Sequence, residues 1–199
     1  DASGQLIVKA TSDKAINALV FAGAAAASAG GVGVSVAGTG VYAENTIAGA
    51  TTANIAVGNT NVQGGTVTVQ ALDTSRIEAI AAAVSLTLGI GGFGAAISIA
   101  ASVAENAIGT TIRASVTETA GGAGSLIATG GTTVLDAEGN DINGNVLVDA
   151  QDNAAIRVIS AAAAIALAGG ISGGVAVSGA GALAFNRITN KVTSEVIGA

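Results

Sequence analysis

The 199-residue chain contains no cysteine, proline, methionine, tryptophan or histidine, and only 2% of it is aromatic and 10% charged. Each absence removes a class of answers. Without Cys or His there is no disulfide, no thiol or histidine-based catalysis and no Cys/His zinc site. Without proline or a three-residue period, the 30 glycines do not make collagen. Seven basic residues against thirteen acidic ones, a net charge of −6, leave no patch to neutralise phosphates, so no nucleic-acid partner is expected. The low charge also argues against a disordered linker. Asp1 follows neither an initiator Met nor a charged-then-apolar leader, so the sequence reads as a mature or excerpted chain.

What is present is Ala, Val and Ile, in a chain that is 50% hydrophobic. Side chains of that size predict a thin, closely packed core without large rings. They are gathered into three charge-free blocks, Ala15 to Ala43, Ala79 to Ala104 and Val158 to Asn186, of 29, 26 and 29 residues. Each block has a Gly-rich midpoint, at Gly30-Gly31, Gly89-Ile90-Gly91-Gly92 and Gly169-Gly170. A short alternating segment precedes each one: Leu6 to Ala10, Val67 to Ala71 and Val146 to Ala150, followed by Asp13, Asp73 and Asp152. Asn45, Asn106 and Asn186 close the blocks, with Ile47, Ile108 and Ile188 two residues on.

Three such copies predict a repeat array. Its approximate bounds are 6–66, 67–145 and 146–199, with an insertion over about 118–145. Joining Ala199 to a following Asp1 continues the spacing of the closing Asn, so the chain reads as one period of a longer array or filament.

Parity decides between helix and strand. In the second block Ile80, Val84, Leu86, Leu88 and Ile90 share one parity, and Ala79, Ala81, Ala83, Ser85, Thr87 and Gly89 the other. The return arm puts Gly94, Ala96, Ser98, Ala100, Ser102 and Ala104 opposite Phe93, Ile97 and Ile99. A period of two, glycines at mid-run and β-branched residues on one parity predict strands rather than helices. Small faces can approach closely, as in a steric zipper, and the aliphatic faces then need a cover from linker strands or a neighbouring chain. The expected fold is all-β, a wide flattened β-solenoid with an Ala/Gly-rich sheet interface.

No catalytic constellation is present, and an enzyme is not expected. The Gly-rich stretches lack the Lys and the strand-to-helix setting of a phosphate loop. The candidate metal ligands are Asp136, Glu138, Asn140 and Asp141 in the insertion, where alternating oxygens and glycines suit calcium; a solvated Asx-turn loop is the plainer alternative. Asn45, Asn106 and Asn186 are candidates for a structural ladder, their amides bonding along the stack if the copies lie in register.

Val146-Leu147-Val148-Asp149-Ala150-Gln151-Asp152 and the alternating Val175 to Ala182 up to Asn186-Arg187-Ile188 resemble repeats of giant secreted or surface bacterial exoproteins, of filamentous-haemagglutinin, leukotoxin-like and adhesin type. The resemblance covers nearly the whole chain outside 118–145. It implies an extracellular or cell-surface structural role, with identical chains or repeats stacked head to tail as partners and with no defined adhesion ligand. The expected function is a fibre, sheath or adhesin stalk segment; the alternatives are a calcium-dependent adhesive module and a membrane-inserting β-hairpin pore. Against membrane insertion stands the Ala/Gly face, too apolar to line a water-filled lumen.

Overall fold

The computed structural model describes residues 5–58, 62–64, 66–119, 126–128, 134–135, 141–142 and 146–198. These are all-β, and no helix occurs among them. The strands are β1 (Gln5–Ser12), β2 (Ala15–Val57), β3 (Val62–Gly64), β4 (Thr66–Asp73), β5 (Arg76–Glu118), β6 (Leu126–Ala128), β7 (Val134–Leu135), β8 (Asp141–Ile142), β9 (Val146–Asp152), β10 (Ala155–Gly170), β11 (Gly174–Ile188) and β12 (Lys191–Ile197).

Pairing is parallel throughout, apart from the two-residue β7–β8 pair. One sheet has the order β1-β4-β9. In the other, β5 is the central strand, with β2 along one side and β10, β11 and β12 in succession along the other. The sheets do not close on themselves. The register is that of the sequence motifs: Leu6 pairs with Val67 and Val67 with Val146, while Asn45 and Asn186 both pair with Asn106. Asp13 is an exception, since Ser12 and not Asp13 lies beside Asp73. The carboxylate file at that level therefore has two members, Asp73 and Asp152.

The third segment is one residue longer than the second, and the extra residue is absorbed at the turn Ile171-Ser172-Gly173 between β10 and β11. Gly173 has φ 127°, a value that disfavours any side chain there. Ser172 N still donates to Gly92 O at 2.8 Å, so the ladder carries across the bend.

Strands of 43 residues need a reason to stay paired, and folding back supplies it. Each long segment bends at its glycines so that its two arms meet through side chains, while the backbone bonds run to the neighbouring segments. In β5, Ser98 Oγ donates to Ser85 Oγ at 2.8 Å and Ser102 Oγ to Ala81 O at 3.0 Å. The small parity is the interior: Ala79, Ala81, Ala83, Ser85 and Thr87 are buried, as are Ala96, Ser98, Ala100, Ser102 and Ala104. Towards the bend the arms close until no side chain fits. A Cβ on Gly89 would lie 2.4 Å from Ala95 O, and one on Gly94 would lie 2.6 Å from Gly169 O.

At the other end of the arms the interior takes larger residues. Ile47, Ile77 and Ile108 form one cluster. Beyond it Val67, Val69 and Ala71 of β4 pack on Ile112, Ala114 and Val116 of β5, with Leu6, Val8, Val148 and Ala150 beside them. The chain thus has an aliphatic-cored base and a thin blade cored by Ala, Ser and Gly. The outward parity of the blade is uncovered, with Ile80, Leu86, Ile90, Phe93, Ile97 and Ile99 all exposed; none of the described linker strands supplies the expected cover.

Candidate assembly interface

The polar groups of the blade and base occur in files, because parallel in-register pairing sets like residues side by side. At the inner end of the return arm, Asn45 Nδ2 donates to Asn106 Oδ1 at 2.8 Å, and Asn106 Nδ2 to Asn186 Oδ1 at 3.0 Å. The file has a direction. Asn45 presents its carbonyl oxygen towards one edge of the sheet and Asn186 its amide towards the other. Asn106, in the middle, is 3% exposed, so both of its bonds are shielded from water.

A second file crosses the junction between base and blade. Asp73 Oδ1 accepts from Ser75 N at 2.8 Å and from Ser75 Oγ. Asp152 Oδ1 accepts from Ala154 N at 3.1 Å, and its Oδ2 from Asn190 Nδ2 at 2.7 Å. Asn190 Oδ1 in turn accepts from Thr110 N at 2.9 Å, tying the third segment to the second. These carboxylates act as Asx-type corners that turn the chain from base to blade. Asn190 was missed from the sequence, and no repeat signal marks it, since the equivalent positions in the other two segments are Gly49 and Thr110. On the outer face of the base, Arg113 pairs with Glu195.

Charge collects where the blade leaves the base. Arg76, Glu78 and Arg157 stand exposed on one side, and Glu44, Glu105 and Arg187 on the other. Tyr42 lies at this level, its hydroxyl donating to Glu105 Oε2 at 3.0 Å. That hydrogen bond, ahead of desolvation and the charges of Glu105 and Glu44, raises its pKa above the ordinary 10.0. Beside it runs an open groove of about 820 Å³ lined by Asn45, Asn106, Asn186, Glu105 and Arg187. It follows the Asn file and holds no nucleophile–base pair.

The two long sides of the sheet are not alike. On β11 the small residues Gly174, Ala176, Ser178, Ala180, Ala182 and Ala184 are exposed along their whole length. Their partners in β5, Gly94, Ala96, Ser98, Ala100, Ser102 and Ala104, are buried. The difference arises because the segments are staggered. The return arm of β5 is covered by its own outgoing arm and also by β10 of the next segment, as the 3.0 Å Ser102 Oγ to Ser160 Oγ contact shows. The return arm of β2 is likewise covered by β5, since a Cβ on Gly33 would lie 2.4 Å from Ile90 O. β11 has no such successor.

Of the candidate calcium ligands, Asp136, Glu138 and Asn140 lie outside the described residues, as does the side chain of Asp141; the backbone of Asp141 belongs to β8. Among the described residues no group of three or more acidic side chains converges on a point. No family model, curated protein or solved structure matches the chain.

Proposed function

We propose that the chain is a structural segment of an extracellular bacterial fibre, sheath or adhesin stalk, built by head-to-tail stacking of β-solenoid rungs. The observation that carries this reading is the bare small face of β11, a surface identical in kind to one that is buried a segment earlier. A further outgoing arm of the β2 or β10 type would cover it as β10 covers β5. The directional Asn file supports the same polarity, since an amide on one edge meets a carbonyl on the other. The bacterial surface setting rests on the resemblance of the repeats.

Its mechanism is mechanical. Backbone ladders run along the stack, each bond contributing about 1 kcal/mol net, and the dry Ala/Ser interface ties the arms together across it. Negative-stain microscopy should show uniform fibres whose growth is accelerated by preformed fragments. Dispersed single chains at every concentration tested, or rings that release dye from liposomes, would refute stacking.

A further inference from the structure

The blade has an inverted polarity of size. Its interior holds Ala, Ser and Gly, while Ile80, Leu86 and Leu88 point outward from one arm of β5 and Phe93, Ile97 and Ile99 from the other. The neighbouring segments continue both faces, with Leu19 and Phe21 on β2 and Ile159 and Leu167 on β10 all exposed. The tip is apolar as well, formed by Val32, Phe93 and Ile171, the last fully exposed. No charged residue occurs anywhere beyond the collar of Arg76, Glu78, Arg157, Glu44, Glu105 and Arg187.

We propose that these outer faces dock into lipid hydrocarbon, so that the blade enters a bilayer up to its charged collar. Three observations select lipid over a second copy. A protein partner laid on one face leaves the other face bare, whereas a fluid hydrocarbon phase covers both faces at once. The charge-free length, from Ala79 to the bend at Gly91, is about 40 Å at about 3.3 Å per residue; it matches a hydrocarbon core of about 30 Å plus part of the headgroup zones. The tip glycines then reach the far headgroups, where their backbone groups meet water.

The collar is also where a membrane surface requires polarity. It carries both signs on both sides of the blade. Tyr42 sits there with its ring beside the aliphatic face and its hydroxyl on Glu105, the placement that amphipathic rings take at a bilayer interface. The lumen objection to membrane insertion applies to a barrel. Here the small face is a dry interior, and nothing needs to be conducted through it.

The inference rests on the stacking reading in one respect. Backbone groups at the open edges of β2 and β11 would be unsatisfied in hydrocarbon, and neighbours along the stack pair them.

The test is flotation of the assembled chain with neutral phosphatidylcholine vesicles, which offer no charge attraction. Co-flotation that survives 1 M salt is expected. Ile97→Lys and Leu86→Lys place a charge near mid-depth on opposite faces, and each should lower partitioning about 30-fold or more, as mid-depth lysines do on the lipid face of membrane strands. Ile7→Lys, on the exposed face of the base, should leave flotation unchanged. Strand content and fibre formation of each variant are followed in parallel. Intact fibres that never float would overturn the lipid inference and leave the stacking reading standing; floating chains that never form fibres would overturn the stacking reading and, with it, the pairing of the β2 and β11 edges on which insertion depends. Flotation insensitive to both blade lysines would exclude the blade as the docking surface. Lateral bundling of fibres that either lysine abolishes, without vesicle binding, would assign the faces to a second copy.

Discussion

Ala100 and Ala180 are partners in the β5–β11 register, and leucine at the two positions should have opposite consequences. Ala100 is 2% exposed, packed between the arms in a cluster with Ala81, Ala83 and Ala104. Adding three carbons there must either push the arms apart or force neighbouring side chains out of their rotamers. Overpacking of a well-filled core typically costs about 1–3 kcal/mol. The upper end applies here, because the alanines on both sides have no rotamer to yield and the serine pair Ser85–Ser98 would lose its 2.8 Å bond if the arms separated. With a urea dependence of about 2–3 kcal/mol per molar, Ala100→Leu should lower the unfolding midpoint of the unassembled chain by about 1 M. Ala180 occupies the same position on β11 but faces open space, so Ala180→Leu should leave that midpoint unchanged and instead abolish fibre growth. The assay is paired: urea unfolding by circular dichroism at low concentration, and seeded growth by light scattering. Equal midpoint losses for both variants, or normal growth of Ala180→Leu, would refute the claim that β11 presents an interface still waiting for its cover.

Asn106→Ala removes the middle of the amide file, leaving Asn45 Nδ2 and Asn186 Oδ1 without their partners; the expected loss is about 1–3 kcal/mol, read as a urea midpoint shift. Gly89→Ala should be severely destabilising, since its Cβ would meet Ala95 O at 2.4 Å, whereas Gly181→Ala, with nothing within 4 Å, should unfold like the parent. Tyr42 is the single tyrosine, so absorbance near 295 nm reports it alone. Its folded pKa lies above the unfolded one, so the Tyr42–Glu105 contact contributes fully below about pH 10 and is lost as pH rises through the folded value. Glu105→Gln should bring the midpoint back towards the ordinary value; an unchanged midpoint would show that Glu105 is not the cause.

Much of this arrangement could be read from residue parity. The small and aliphatic faces of the second block are the buried and exposed faces of β5, and the three short alternating segments pair as aligned. Parity is legible because a strand fixes alternate side chains to opposite sides, and motifs in identical order can pair in parallel without shifting register. Asp13 follows an alternating strand as Asp73 does, yet constant spacing between β1 and β4 puts Ser12 beside Asp73. Spacing outranks residue type wherever the backbone ladder is unbroken. The stagger was not legible. Whether an arm faces its own return arm or also the next segment's outgoing arm depends on a displacement along the stack, and alternation is the same in either case.

The size inversion has an energetic explanation that links the interior to the bare outer faces. Ala and Gly lose almost no side-chain entropy when buried, against about 0.5–1 kcal/mol for each Ile or Leu. An interior of small residues gains less from dehydration but permits backbones to approach until Gly89 and Gly94 touch the opposing arm. Stability then comes from ladder bonds and dense contact, which need no large side chains inside. The large β-branched residues are still useful outside, where they favour the extended backbone. A sequence selected for the base alone would gain nothing from keeping that outer parity so consistently aliphatic, and a merely solvated blade would place Thr, Lys or Glu there, as β5 does beyond Thr110 with Thr111, Arg113 and Thr117. The outward positions from Ile80 to Ile99 hold only alanines and larger apolar residues, which is therefore the strongest sequence-level argument for the proposal that these faces meet an apolar phase.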